Sequence, residues 1–531
     1  MMRAGIIIWF CILGCFSCTS VDRYNAHIDQ AISVDQLKKD VDFVHKKLIK
    51  NHPKLDYYLP KDQITYKFDS LKQSIQEPLK PNEFFLQIQH VVSNLRHGHT
   101  DVMPLFKKST KKELKAYKNS IGPLSQLSTF WHNDSLYVVS TTTKDSTIIP
   151  GSVIVKIDDL APQKLVEKYK HTFYGDGFGS TYFQNRLTRN FISYFYNLEE
   201  ETKDSILYTF SYQGKEYQQM VYRKFKKEDK KENKKNDSIV QQPMVKVPSV
   251  KKLKTYHYSL NKSSNSYART LSFPTNDSAF AVLKVSTFSY GDFAKDYKAI
   301  FEKVKAYKVR NLVLDLRNNG GGRLADSYQL FSYLVPNQTE FLDDQIVVSG
   351  SAVQRTIYQI FPKYLRPIVY PFSFISYFIT KKNNASESHI KPALSRIKTK
   401  NPVTAYDGNL YVMINGGSYS ASALIASNLK GFNRAYFVGE ETGGDANGSV
   451  AGLMPNFKLP YSKLNFQIGT VFLQPKHYKT DTIGHGVYPH TVVQTTLEDR
   501  IKNIDPQLRW IITDVKQNNK ALRQIIPHTT P

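Results

Sequence analysis

Apolar residues recur at helical spacing from residue 28 to 116, as in "VDQLKKDVDFVHKKLI" and "PNEFFLQIQHVVSNL", and charged residues fill the other faces. That pattern predicts an N-terminal domain of amphipathic helices. Over 118–222 the pattern shortens to strand-like pieces, "SLYVVST", "GSVIVKIDD" and "SILYTFSYQGKEYQQMVYR", joined by turn residues, which predicts a small β-rich module. Residues 223–250 begin with "RKFKKEDKKENKKND", where lysines and acids interleave and aromatics are nearly absent, and read as a solvated linker. Beyond it, "SAFAVLKVSTF" and "NLVLDLR" are apolar throughout and flank a helical stretch, "FAKDYKAIFEKVKAY". Strands without alternation belong to a sheet covered on both faces, so 260–505 is expected to be an α/β domain with a largely parallel sheet. The chain as a whole is then multidomain α+β. An aromatic-rich insertion at 351–399 is broken by Pro362, Pro367 and Pro371 and is expected to cover or wall a cleft rather than span a bilayer.

Composition adds a compartment. A chain of 531 residues with 41% hydrophobic and 22% charged residues exceeds what one core serves. Its first 18 residues, "MMRAGIIIWFCILGCFSC", carry one arginine, a short apolar run and then small residues and cysteines, the layout of a secretory signal. All three cysteines, Cys11, Cys15 and Cys18, lie there, and the segment resembles a bacterial lipoprotein signal. Cys18 gives the more usual signal length and is taken as the lipid-bearing residue, while Cys15 has the smaller residue before it. A lipid anchor places the protein in the cell envelope, facing the periplasm or the surface. The net charge of +26 would raise nucleic acid as a partner in the cytoplasm, and export argues against it. With no cysteine in the body of the chain, and with His477, His485 and His490 lacking carboxylates at ligand spacing, neither a metal nor a cofactor is expected.

Three stretches carry candidate chemistry: "NLRHGHTDV" at 94–102, "LVLDLRNNGGGR" at 312–323 and "GGSYSASALIA" at 416–426. In the last, Ser418, Ser420 and Ser422 stand where a buried strand meets a helix. A serine there either caps the helix or does chemistry at its positive end. Taken in order, with "NHPKLDYYL" upstream and "RAYFVGEETGG" and "GHGVYPHTVV" downstream, the stretches resemble the C-terminal-processing peptidases, serine proteases that include tail-specific protease and the tricorn core. The resemblance implies a ClpP/crotonase-like core in the α/β domain.

It also implies roles. The family's nucleophile lies three residues before a common glutamate, and the same offset from Ala423 selects Ser420, leaving Ser418 and Ser422 to cap or pack. The oxyanion hole falls to Gly321 or Gly322 together with the N–H of Ala421. Members with a Ser–Lys pair carry "T-x-G-K" where this chain has "ETGGD", so Asp445 replaces the lysine and a histidine base is expected instead. The family's "D-G-H-T" pattern selects His99, with His97 in the aspartate's place. An imidazole suits the task because its pKa lies near neutrality. The orienting glutamate of relatives is Ile483 here, and Asp481, two residues upstream, is the expected substitute; His490 replaces a family aspartate, and Gly98 stands where tricorn relatives have a serine. Asp315 and Arg317 read as a structural ion pair. "PGSVIVKIDDLAP" resembles a PDZ segment, which implies that the module at 118–222 is PDZ-like and recognises C-terminal tails of protein or peptide substrates. The expectation is an exported serine endopeptidase. Its rival is an inactive peptide-binding or scaffold protein that keeps the fold, since the lysine, the glutamate and an aspartate are all replaced.

Overall fold

The computed structural model describes residues 20–143, 147–225, 255–349 apart from 263, 276, 336–338, then residue 365, strands 380–383 and 387–390, and 405–525. The expected signal with Cys18, nearly all of the linker and most of the 351–399 insertion lie outside the described residues. No helix of the described chain is long and apolar enough to cross a membrane.

The molecule is a mixed α+β protein. Its N-terminal helices bury one stripe each. In Val34–Asn51 the stripe is Leu37, Val41, Val44 and Leu48, at the spacing that lines one helix face, and in Pro81–Ser93 it includes Phe84, Phe85, Ile88 and Val92. Five antiparallel strands follow, in the order Leu127–His132, Ser135–Thr141, Val153–Ile157, Ser205–Tyr212, Lys215–Tyr222. Lys224–Phe225, expected in the linker, pairs instead with Ser120–Ile121 and closes this module.

The C-terminal domain is built on a seven-stranded sheet. Five of its strands, Phe280–Val285, Asn311–Asp315, Asn409–Ile414, Tyr436–Gly439 and, at one edge, Thr491–Val492, run parallel, and a hairpin of Tyr256–Asn261 and Ser266–Ser272 adds two antiparallel strands at the other edge. Alternate side chains face opposite layers. Leu312, Leu314, Leu410, Val412 and Ile414 pack on helices Phe293–Ala306, Leu324–Leu334 and Ala421–Gly431. Val313, Tyr411 and Met413 pack on Pro506–Lys516 and Lys520–Ile525. The domain therefore extends past the expected end at 505, because those last helices cover the second face of the sheet.

This topology explains why the three glycine-containing stretches act together. "RNNGGG", "NGGSYS" and "EETGGD" follow three neighbouring parallel strands, Asn311–Asp315, Asn409–Ile414 and Tyr436–Gly439, so all three loops emerge at the same carboxyl edge. Such an edge is where open α/β sheets place their ligands. Chain segments far apart also join the halves of the molecule. Asp101–Met103, just after "RHGHT", pairs with Asn465–Gln467, and that strand pairs with Asn456–Lys458. Buried Asp40 accepts from the backbone N–H groups of Tyr461 and Ser462 at 3.0 and 2.7 Å.

Candidate active site

Ser420 ends the strand-to-helix turn with φ 57° and ψ −123°, a conformation that an L-residue adopts only under constraint. It is the residue before helix Ala421–Gly431, yet its side chain makes no capping bond. Its hydroxyl instead meets the Nε2 of His99 at 3.1 Å, across 321 positions of chain. The neighbouring serines do other work. Ser418 Oγ donates to the carbonyl of Leu316 at 2.9 Å and accepts from the N–H of Asn415, bracing the turn against the adjacent strand end, and Ser422 is buried in the helix.

The glycine loop lies against this turn. Gly321 has φ 94°, and a Cβ there would stand 2.7 Å from the Ser420 Cβ, so glycine is needed for the close approach. Its N–H, expected to serve an oxyanion, donates to Asn319 Oδ1 at 2.9 Å. Among the described residues the backbone N–H groups of Ala421 and Gly322 make no such bond. The N–H of Ala421 opens the helix, where the dipole favours negative charge. Asn415 ties the two loops, its Oδ1 accepting from the N–H groups of Asn318 and Gly417 at 2.9 and 3.0 Å.

His99 sits in the turn between helix Pro81–Ser93 and strand Asp101–Met103 and is only 9% exposed. Burial pushes its pKa down to about 4, so the ring is neutral at pH 7. The ring stacks on Tyr419 with centroids 4.8 Å apart. Its Nδ1 faces two hydroxyls, Tyr419 at 3.0 Å and Ser449 at 3.1 Å. Neither was indicated by sequence pattern. Asp176, buried in the loop "YGDGFGS", accepts at Oδ1 from the N–H of Gly98 at 3.0 Å. Burial raises Asp176 to about 6, and the bond from the Gly98 N–H pulls in the other direction.

The other sequence candidates fall elsewhere. Asp481 is exposed and takes no part in the bonds to His99, so the expected orienting role is corrected: hydroxyls occupy Nδ1 in its place. His97 is buried against His52, with ring centroids 4.2 Å apart, and its pKa is lowered to about 4 by burial. Asp445, at the lysine position, accepts from Tyr58 at 2.9 Å and from the backbone of Asn447 and Gly484. His490 Nδ1 accepts from the N–H of Phe437. Arg317 pairs with Asp315 at 2.9 Å and with Asp505 at 2.7 Å. Among the described residues no group of three or more His, Cys, Asp or Glu is placed to hold a metal.

One signal for the missed residues was present in the sequence. A Cβ at Gly98 would lie 2.3 Å from the Tyr419 hydroxyl and 2.9 Å from the Gly175 carbonyl carbon. The absence of a serine at 98 is thus linked to a tyrosine beside Ser420: the hydroxyl reaching His99 arrives from the turn that follows strand Asn409–Ile414.

A serine hydroxyl, a neutral imidazole on it and a helix N-terminus beneath it form the layout of a serine-type peptidase. Residues 279–493 match the model of peptidase family S41. Tail-specific protease of Haemophilus influenzae is 27% identical over 164 residues, which are 31% of this chain and 17% of that protein. The chain therefore spans only a small part of that relative's length. In fold, the crystal structure of mature CPAF superposes with a TM-score of 0.57 at 14% identity, covering 94% of this chain and 99% of that one. Mature CPAF complexed with lactacystin gives 0.59 at 14% identity, covering 92% and 99%.

Proposed function

We propose that this protein is an exported serine endopeptidase that cleaves protein or peptide substrates through an acyl-enzyme on Ser420. The observation that carries the reading is the 3.1 Å contact between His99 Nε2 and Ser420 Oγ at a strained turn. His99 takes the hydroxyl proton as Ser420 Oγ attacks the scissile carbonyl, then returns it to the leaving amine; water deacylates by the same route. The N–H groups of Ala421 and Gly322 are the oxyanion donors this reading uses. Burial disfavours the imidazolium, so proton transfer is matched to the negative charge forming beside it.

Tail recognition is proposed for the module at 118–222. Its edge strand Leu127–His132 borders a cavity of about 450 Å³ lined by Leu127, Leu136, Ile154 and Ile192, with Arg189 and Arg500 on the wall. Arg189 donates to the carbonyl of Asn318 at 3.2 Å and Arg500 lies over the Phe130 ring, and neither is in an ion pair among the described residues, so a peptide could add as a strand and leave its carboxylate to them. The lipoprotein-like leader supports attachment to the cell envelope.

The test is a serine-directed fluorophosphonate on the purified chain. Labelling in the wild type that is lost in Ser420→Ala and in His99→Ala supports the enzyme. No labelling at any pH favours the inactive peptide-binding protein. Peptides with free and amidated C-termini then test the tail preference.

A further inference from the structure

The loop at 317–322 brings Gly321 against Ser420, and its course is set where it leaves the strand, at Asn318. That residue has φ 62°, in the left-handed region, which asparagine enters more readily than most residues but only where something holds it. Its N–H donates to Asn415 Oδ1 at 2.9 Å, and its Oδ1 accepts from Asn415 Nδ2 at 3.2 Å and from Asn185 Nδ2 at 2.8 Å. The directions of these bonds are fixed. Backbone N–H groups only donate, so Asn415 must turn its oxygen to the N–H groups of Asn318 and Gly417 and its amide to the Asn318 side chain. The Asn318 oxygen then faces that amide, and Asn185 has to approach it with its own. A shift at 318 does not stop there: the next residue, Asn319, takes the Gly321 N–H on its Oδ1 at 2.9 Å and the Tyr419 N–H on its carbonyl at 3.0 Å.

Asn185 belongs to the other half of the molecule. It lies on Thr181–Arg186, a helix of the module at 118–222 that continues through one wide, π-helical turn, Leu187–Phe191, into Ile192–Glu199. Such turns are rare and collect at functional sites. This one carries Arg189, whose Nη1 donates to the Asn318 carbonyl at 3.2 Å. The same helix abuts the turn that leads to Ser420. A Cβ at Gly416 would stand 1.9 Å from the Thr181 carbonyl oxygen, and one at Gly417 would stand 2.7 Å from the Asn318 Cα and 2.8 Å from Asn185 Oδ1. No side chain fits between the helix and either loop.

We propose that Asn185 is a positioning residue: from the β-rich module it holds Asn318 in its left-handed conformation and so sets the loop whose Gly322 N–H, with that of Ala421, is offered to the oxyanion. The effect on turnover rests on the proposed peptidase reading; the clamp on the loop does not.

The test uses the full chain with Asn185→Ala, Asn318→Gly and the double variant. Glycine at 318 adopts the left-handed backbone without strain while removing the oxygen that Asn185 holds, so that variant should fold. In Asn185→Ala the maximal rate of fluorophosphonate labelling should fall about tenfold, less than the roughly hundredfold loss on removing an oxyanion donor outright. The probe concentration that gives half the maximal rate should not change, because the donors act only once the anion forms. Asn318→Gly should be slowed to a similar extent, and adding Asn185→Ala to it should change nothing further, since the partner is gone. Hydrogen exchange read by mass spectrometry should rise at 317–322 in Asn185→Ala while the strands of the module keep wild-type protection. Labelling of Asn185→Ala at the wild-type rate, or an equal loss in both backgrounds, overturns the proposal. If Asn185→Ala does not fold, Asn318→Gly decides, and undiminished labelling there overturns it. An unlabelled wild type sinks the peptidase reading alone; the exchange at 317–322 in Asn185→Ala, or in Asn318→Gly where that variant fails, then decides the clamp, and wild-type exchange there overturns it.

Discussion

Ser420 is held by its own neighbourhood. The strand before it, the helix after it, Ser418 and Asn415 lie within a few residues, and the adjacent loop at 317–322 comes from the next strand of the same sheet. His99 is held from a distance. Its ring touches Tyr419 and Ser449 of the α/β domain, its backbone neighbour Gly98 is tied to Asp176, and the strand that follows it pairs with Asn465–Gln467. The geometry of Ser420 therefore survives small shifts between domains, whereas His99 reaches it only when three parts of the chain are docked. On the proposed reading, catalytic competence is a property of that docking.

Substitutions can break this contrast in a graded way. Ser420→Ala should remove covalent labelling and hydrolysis altogether, at least about 10⁴-fold, while thermal melting changes little or rises, since the strained turn loses nothing it needs. Gly98→Ala comes next. Its Cβ would collide with the Tyr419 hydroxyl, displace the ring and lower labelling by on the order of a hundredfold, with Ser420 geometry intact in a crystal structure. Tyr419→Phe and Ser449→Ala each remove one of two hydroxyls on Nδ1. Each should cost roughly tenfold, and the double variant more than the product of the two, because the second hydroxyl covers for the first.

Stability should depend on pH through Asp176. Its carboxyl titrates at about 6 when folded, against 3.8 unperturbed. Ionisation therefore opposes folding as pH rises from about 4 to 6 and stays unfavourable above, by about 3 kcal/mol at most. Asp176→Asn should melt higher than the wild type at pH 8, and the gap should close at pH 4. A variant that is equally stable at pH 8 would mean that the buried charge costs nothing. His97 and His99 act with the reverse sign: their folded pKa values near 4 favour folding above the unperturbed 6.5, and that contribution fades as pH falls through the interval. The smallest effect is expected at Asp481→Asn, within about twofold in labelling, because an exposed side chain apart from His99 has no bond there to lose.

Much of the α/β domain could be read directly from the chain. Apolar runs without alternation marked Asn311–Asp315 and Asn409–Ile414 as strands covered on both faces, and glycines and serines at their carboxyl ends marked the loops that meet there. Ser420 and His99 were selected by pattern, and the fold brings them into contact. Tyr419, Ser449 and Asp176 escaped because each looks ordinary in its own segment: a tyrosine in a turn, a serine on a short strand, an aspartate among glycines. Asp481 was selected because it was near a vacant family position in sequence, and proximity along the chain did not translate into proximity in space.

By itself, the order of residues determined the local elements, the apolar faces and the few groups capable of acid–base or nucleophilic chemistry, since propensity, periodicity and side-chain pKa are properties of short segments. Only the tertiary structure decided which hydroxyls face His99 Nδ1 and which carboxylate holds the N–H of its neighbour Gly98. Hydrogen-bond direction depends on distances of about 3 Å between residues hundreds of positions apart, and such distances are fixed by the packing of whole domains rather than by any one stretch.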